Sequence, residues 1–236
     1  MSTAPSRQDV PNMFDRIADR YDLLNRLLSF GTDVRWRKKV AKQLDGLSPL
    51  RLLDVATGTA DQLLALVRNR KFDFAVGLDV SRGMLSHGVR KVDEAKLPNP
   101  VAMVHGDALA LPLADNSINA VTISFGIRNV LDVPKALTEM SRVLQPGGRA
   151  VILEFSLPAN ALIRWGYLIY FRHVLPKIGG LISGDWYAYN YLNKTVETFP
   201  YGEDFADLMR AAGFESVRII PLTFGIASIY VGEMKS

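Results

Sequence analysis

Between residues 50 and 155 five short apolar runs alternate with helical patterns, and that alternation leaves few folds open to the chain. The runs are residues 50–56, 72–80, 101–106, 118–125 and 149–155, with helical spacing over 61–70, 81–95 and 133–144. Strands alternating with helices need right-handed crossovers and build a mostly parallel sheet with helices on both faces. Pro146-Gly147-Gly148 is the stop signal of the third helix. A last helix is expected over 203–212, capped by Gly213. Two further runs, 216–223 and 226–231, lie too close together for a parallel crossover and must pair antiparallel. The expectation is an α/β fold with a seven-stranded, mostly parallel sheet and an antiparallel terminal hairpin. At 236 residues, one domain spanning 1–236 is sufficient.

Two segments lie outside this alternation. Residues 1–48 read as N-terminal helices. Phe14, Ile17, Tyr21 and Leu24 form one apolar stripe, and a second helix is expected from Asp33 as N-cap, with Trp36, Val40 and Leu44 on one face. Its other face carries Arg35, Lys38, Lys39 and Lys42, a solvated face or one attracted to anionic lipid. Residues 157–202 form an insertion. The stretch 165–201 holds ten of the 22 aromatic side chains, an excess that reads either as ordinary helix packing against the sheet edge or as an apolar lid or channel for a greasy substrate.

Composition removes several chemistries. With no cysteine there is no disulfide, thiolate metal site or thiol nucleophile. His87, His105 and His173 are too scattered for a histidine zinc site, so no metal is expected. The net charge of +4 permits contact with anionic partners without requiring it, and no basic stripe interleaved with aromatics points to nucleic acid. Residues 1–8 are polar and carry no secretory signal, so the expected location is cytoplasmic. The longest uncharged stretch, 219–232, is shorter than the roughly 20 residues that span a bilayer.

The strand ends carry the candidate site. The first run leads into Asp54-Val55-Ala56-Thr57-Gly58-Thr59, a tight turn whose glycine lets backbone approach a ligand. A dinucleotide fingerprint asks for three glycines here and this turn has one, which counts against a pyrophosphate. Asp54, Gly58 and Thr59 are cofactor-binding candidates. Asp79 ends the second run 21 residues after Gly58, where a carboxylate accepts from ribose hydroxyls, whether of NAD or of S-adenosylmethionine (SAM). Asp107 with Ala108, and Ser124, close the third and fourth runs on the same carboxyl edge.

With its terminal hairpin the chain resembles the class I SAM-dependent methyltransferase fold, a Rossmann-like sheet. Over nearly its whole length it resembles the ubiquinone/menaquinone biosynthesis C-methyltransferase family. Tyr21-Asp22-Leu23-Leu24-Asn25 and Ser124-Phe125-Gly126-Ile127-Arg128-Asn129 carry the likeness, with Arg142 to Gly148, Glu154-Phe155-Ser156 and His173-Val174-Leu175-Pro176. Asp33 stands where that family usually has histidine, and Thr57 and Ala60 where it often has glycine. The resemblance implies SAM as cofactor, bound by Thr59, Asp79, Asp107, Ala108 and Ser124. It also implies methylation of a ring carbon of a prenylated quinol, demethylmenaquinol or the benzoquinol precursor of ubiquinone; the alternative is another lipid or phenol as acceptor.

Such a ring supplies its own carbon nucleophile once a phenolic proton leaves. The protein's task is then positioning and charge stabilisation. Arg128 is the expected phenolate-stabilising group, against a role in a buried ion pair with Asp22 or Glu154; Asn129 and Tyr21 are expected to orient the ring oxygens. Leu162, Trp165, Leu168 and Ile169 beside Arg164 and Arg172 suit an interfacial helix, so peripheral contact at the inner face of the membrane is expected. A homo-oligomer is compatible with all of this.

Overall fold

The structure, a computed structural model, describes residues 9–68 and 70–236; the polar stretch 1–8, Asn69 and the side chains of Ser183, Tyr189 and Asn190 lie outside the description. Its strands are β1 (Leu50–Val55), β2 (Phe72–Asp79), β3 (Val101–His105), β4 (Ile118–Ser124), β5 (Leu144–Phe155), β6 (Ser216–Leu222) and β7 (Ala227–Glu233). They form one sheet in the order β3-β2-β1-β4-β5-β7-β6. The first five run parallel, and β7 inserts antiparallel between β5 and β6. The sheet therefore has the expected class, and its order reverses at β1, so the carboxyl ends of β1 and β4 flank a ready crevice.

Period-two alternation sends side chains to two cores. Leu53, Val121 and Ile152 face α5 (Val133–Val143) and α9 (Glu203–Ala211), packing with Leu137, Met140 and Phe205. Leu52, Ala120 and Val151 face α2 (Thr32–Lys42) and α3 (Asp61–Val67), packing with Val40 and Leu63. α4 (Arg82–Ala95) links β2 to β3 and is capped by the Ser81 hydroxyl, which accepts from the Met84 N–H at 3.1 Å.

Three boundaries differ from the sequence reading. α5 ends at Val143 and β5 starts at once, so Pro146-Gly147-Gly148 is a bulge inside a strand: Ile118 pairs with Leu144, but Ala120 already pairs with Arg149. Gly147 takes a left-handed φ of +72° to make it. α2 is capped by Gly31 rather than by Asp33, which sits in the first turn and accepts from the Ser29 hydroxyl at 2.9 Å and from Arg26. α3 ends at Val67, three residues short of expectation.

α1 (Val10–Leu28) crosses the carboxyl edge of the sheet and is pinned there by its acids. Asp15 accepts from the Ser81 hydroxyl (2.5 Å) and the Gly83 N–H (2.8 Å). Asp22 accepts from Thr59 Oγ1 (2.6 Å) and Lys91 Nζ (2.5 Å). The insertion forms α6 (Ala161–Ile169), a π-helical turn Tyr170–Val174, α7 (Leu175–Ser183) and α8 (Trp186–Thr198). Tyr167, Phe171, Leu175 and Tyr191 pack against Met13, Ile17 and Leu24 of α1 in a third core. Part of the aromatic excess is thus ordinary packing, while Trp165 and Trp186 stay exposed. Among the described residues no helix is long and apolar enough to cross a membrane.

Candidate active site

A cleft of about 900 Å³ opens at the carboxyl ends of β1 to β4 and is roofed by Val10, Pro11 and Phe14 of α1. Asp79, at its centre, is 8% exposed. Its Oδ2 accepts from the Gly58 N–H at 2.7 Å and its Oδ1 from the Ser81 N–H at 2.8 Å, leaving lone pairs on both oxygens for ligand hydroxyls. Burial raises the Asp79 pKa, and the backbone N–H bonds oppose that rise. Asp107, whose Oδ1 accepts from the Leu109 N–H (2.9 Å), and Ala108 lie at the far end of the cleft beside Val80 and Met84. Those apolar walls suit a flat base. Gly58 has φ +56°, and a Cβ there would come within 3.3 Å of Met84 Cε.

Behind the turn lies a small chamber of about 300 Å³ that shares Ala56, Gly58 and Ser124 with the cleft. Asp54 lies in its wall, with Oδ2 held by Thr57 Oγ1 (2.7 Å) and Oδ1 by Thr122 Oγ1 (2.5 Å). Burial pushes its pKa up to about 6 despite both hydroxyls and the nearby Arg37. Thr59 is buried and spends its hydroxyl on Asp22. Ser124 donates to Gln62 Oε1 at 3.1 Å. The donors Arg37 Nε and Gln62 Nε2, both buried, have no partner. An adenosyl ligand with an amino-acid end fits this cleft and chamber: acceptor, flat apolar walls, close backbone and orphaned donors are all present.

A second cavity, of about 1350 Å³, lies between α1, α2 and the insertion helices. Its walls are rings: Phe125 and Phe155 have centroids 4.5 Å apart, Trp36 stands 6.0 Å from Phe125, and Phe171 stands 6.3 Å from Phe155. Phe14, Tyr21 and Phe125 border both cleft and cavity, and Tyr21 also borders the chamber. Tyr21 is therefore where the three spaces meet. Burial raises its pKa, partly offset by a hydrogen bond with Asn25 and by Arg37 and Arg128, so it stays a neutral hydroxyl. Phe125 reaches this position through a left-handed φ of +58° directly after β4.

Arg128, in the 3-10 turn Ile127–Asn129, lines the cavity rather than the cleft. Its Nη1 binds Glu154 Oε1 and the Phe125 carbonyl, each at 2.7 Å, and its guanidinium lies 5.4 Å from the Phe155 ring centroid. The ion pair with Glu154 weighed above is present, yet Arg128 Nε remains a buried donor without a partner. Asn129 lines the cleft; its Nδ2 lies 3.4 Å from the Phe125 carbonyl and its buried Oδ1 has no partner.

Sequence reasoning passed over Arg37 and Gln62. Arg37 falls among Asp33, Trp36, Val40 and Ala41, the buried side of α2. A charge on a helix's apolar stripe was the available signal.

The ubiE/COQ5 methyltransferase family matches the chain over residues 2–234. A relative from Thermus thermophilus named demethylmenaquinone methyltransferase is 49% identical over 94% of this chain and 99% of its own. One from Syntrophotalea carbinolica, named ubiquinone/menaquinone biosynthesis C-methyltransferase UbiE, is 48% identical over 95% and 94%. Of the solved structures, the [4+2]-cyclase SpnF superposes with a TM-score of 0.68 at 17% identity, covering 100% of this chain and 98% of its own. A SAM-dependent methyltransferase from Aquifex aeolicus gives 0.58 at 18% identity, over 84% and 89%. At those identities the structural likeness is one of fold alone.

Proposed function

The chain belongs to the ubiE/COQ5 methyltransferase family, and we propose that it methylates a ring carbon of a prenylated quinol, converting demethylmenaquinol to menaquinol with SAM as cofactor. The observation that carries this reading is the shared wall of Tyr21 and Phe125, at which the cofactor cleft adjoins a ring-walled apolar cavity. SAM supplies an electrophilic methyl on a sulfonium.

The chain's own residues bind, orient and balance charge. Asp79 takes the ribose hydroxyls. Asp107 and Ala108 seat the base, and Ser124 and Gly58 bring backbone and hydroxyl to the rest. Asp54 acts one step back: by holding Thr57 and Thr122 it fixes the turn that carries Gly58 and Thr59.

In the cavity, loss of a phenolic proton makes the neighbouring ring carbon nucleophilic. The orphaned Nε of Arg128 stabilises that phenolate. Glu154 holds the guanidinium plane in place through Nη1. The neutral Tyr21 hydroxyl and the free Asn129 Oδ1 orient ring oxygens at the junction. The acceptor carbon would take the methyl as its bond to the sulfonium sulfur breaks, leaving S-adenosylhomocysteine, and would then lose its ring proton to solvent as the ring regains aromaticity. Positioning of this kind is worth about 7–11 kcal/mol, so two well-held reactants need little else.

The polyprenyl tail leaves along the apolar walls towards an exposed rim. Leu162, Trp165 and Leu181 are 76%, 65% and 79% exposed on α6 and α7, and this rim docks on the membrane surface that holds the substrate. The test is transfer of labelled methyl from SAM to demethylmenaquinol. Wild-type enzyme incorporates label, and Arg128→Ala keeps its SAM affinity while turnover falls about 100-fold or more. No incorporation by the wild type overturns the reading, and near-normal turnover by the variant removes Arg128 from the chemistry.

A further inference from the structure

A buried guanidinium without a hydrogen bond is costly unless a ligand supplies the anion. Arg37 is such a group. It is 7% exposed, its Nε has no hydrogen-bond partner, and the sole ion pair of Arg37 among the described residues, from that Nε to Asp33 at 3.9 Å, is beyond hydrogen-bond reach. It lies 5.9 Å from the Phe125 ring centroid, and it forms part of the wall of both the small chamber and the apolar cavity. Gln62 is 2% exposed; Ser124 fixes its carbonyl end, and its amide nitrogen is the second orphaned donor. Arg37 and Gln62 share the chamber and nothing else, since Gln62 does not reach the cavity. Two orphaned donors in the wall of one chamber, one of them charged, suit a carboxylate. Asp61 also lines the chamber; Lys91 and Arg26 each bind one of its oxygens at 2.7 Å and, with Arg37, hold it below the usual carboxylate range against the cost of burial.

We propose that Arg37 and Gln62 clamp the carboxylate of the cofactor's methionyl end, and that this pairing neutralises the wall Arg37 shares with the quinol cavity. The proposal rests on SAM being the cofactor. Before the carboxylate arrives, the cavity has in its wall a buried cation without a hydrogen bond, facing only Asp33 at 3.9 Å, which disfavours a neutral ring. Afterwards the same wall is an ion pair turned towards the chamber, so cofactor binding promotes quinol binding, and by linkage the reverse holds equally.

The experiment measures dissociation constants for SAM and for decarboxylated SAM, which keeps sulfonium and ammonium but lacks the carboxylate. Wild-type protein should prefer SAM about 10- to 100-fold, as a charge-assisted hydrogen-bonded pair implies. Arg37→Met should bind both ligands alike, at the wild-type affinity for the decarboxylated one, which shows that its pocket is intact. Gln62→Leu, which leaves α2 unaltered, should narrow the preference independently. Equal losses for both ligands in both variants, or no preference in the wild type, overturn the clamp. A wild type that binds neither ligand overturns the cofactor reading instead. For the second half, a short-tailed menaquinone is titrated while Trp36 fluorescence is followed. SAM should tighten it several-fold in wild type but not in Arg37→Met, and decarboxylated SAM in neither; coupling that survives in Arg37→Met overturns that half.

Discussion

The Gly58 N–H donates to Asp79 Oδ2 at 2.7 Å, so a single carboxylate joins the turn after β1 to the end of β2. The same group accepts from the Ser81 N–H, which places it at the start of α4. Asp79 therefore shapes the cleft and presents its remaining lone pairs to it. In Asp79→Asn one oxygen becomes an N–H donor, and it must face either a backbone N–H or the ligand's hydroxyls. Affinity for the product S-adenosylhomocysteine, which carries the same ribose, should fall about 10- to 100-fold in calorimetry. A loss under twofold would remove Asp79 from ribose recognition.

Arg128 and Glu154 are both buried, at 5% and 1% exposure, and pair at 2.7 Å. Deleting one charge strands the other, so Arg128→Met and Glu154→Gln should each cost stability, the first by about 3–5 kcal/mol. The double variant Arg128→Met/Glu154→Met, which removes both charges, should regain most of that loss in thermal unfolding. Its turnover should stay as low as that of Arg128→Met alone. Recovery of turnover along with stability would mean that the guanidinium serves the fold and not the phenolate.

The sheet was legible in the sequence because strand and helix periods differ and because two closely spaced runs have only one way to pair. The strand tips were legible too: Asp79, Asp107, Ala108 and Ser124 all line the cleft. What the sequence concealed depends on contacts between distant elements. Asp33 looks like a cap by residue type, but Gly31 adopts the left-handed conformation first, with φ +72°, and frees Asp33 to bind Arg26. Pro146-Gly147-Gly148 looks like a terminator, yet pairing with β4 turns it into a bulge. Arg37 is visible as a charge on the buried side of α2, but that its Nε finds no hydrogen-bond partner there is something no one-dimensional pattern displays.

Asp54 gives the fold a particular response to pH. Its folded pKa is about 6, raised by burial above the ordinary carboxyl value of 3.8. Between these two values the folded chain holds a proton that the unfolded chain has lost, so this group's stabilising contribution is complete below about pH 4 and is lost as pH rises through 6. The loss amounts to about 3 kcal/mol. Asp54→Asn cannot ionise, so its stability relative to wild type should rise by about that amount between pH 4 and pH 7 in urea titrations. A difference that stays flat across that range would show that the carboxyl is ionised at both ends of it.

The rim of the insertion predicts how the protein meets a membrane. Leu162, Trp165, Ile169 and Leu181 are all exposed on α6 and α7, and neither Trp165 nor Leu181 lines the cavity. Arg172, a source of electrostatic attraction if unpaired, is already held by Glu197 at 2.9 and 2.5 Å. Docking should therefore be driven by apolar insertion and depend weakly on salt. Each large side chain is worth about 1.5–3 kcal/mol when fully buried, so Trp165→Glu/Leu181→Glu should cut co-sedimentation with phosphatidylglycerol vesicles by at least about tenfold. Turnover of a short-tailed, water-soluble quinol should be unchanged in this variant, while that of vesicle-held long-tailed quinol falls. If wild type and variant sediment alike, or if wild-type binding collapses on raising salt from 0.1 to 0.5 M, the rim is not the docking face, because apolar insertion is indifferent to screening whereas a charged contact is not.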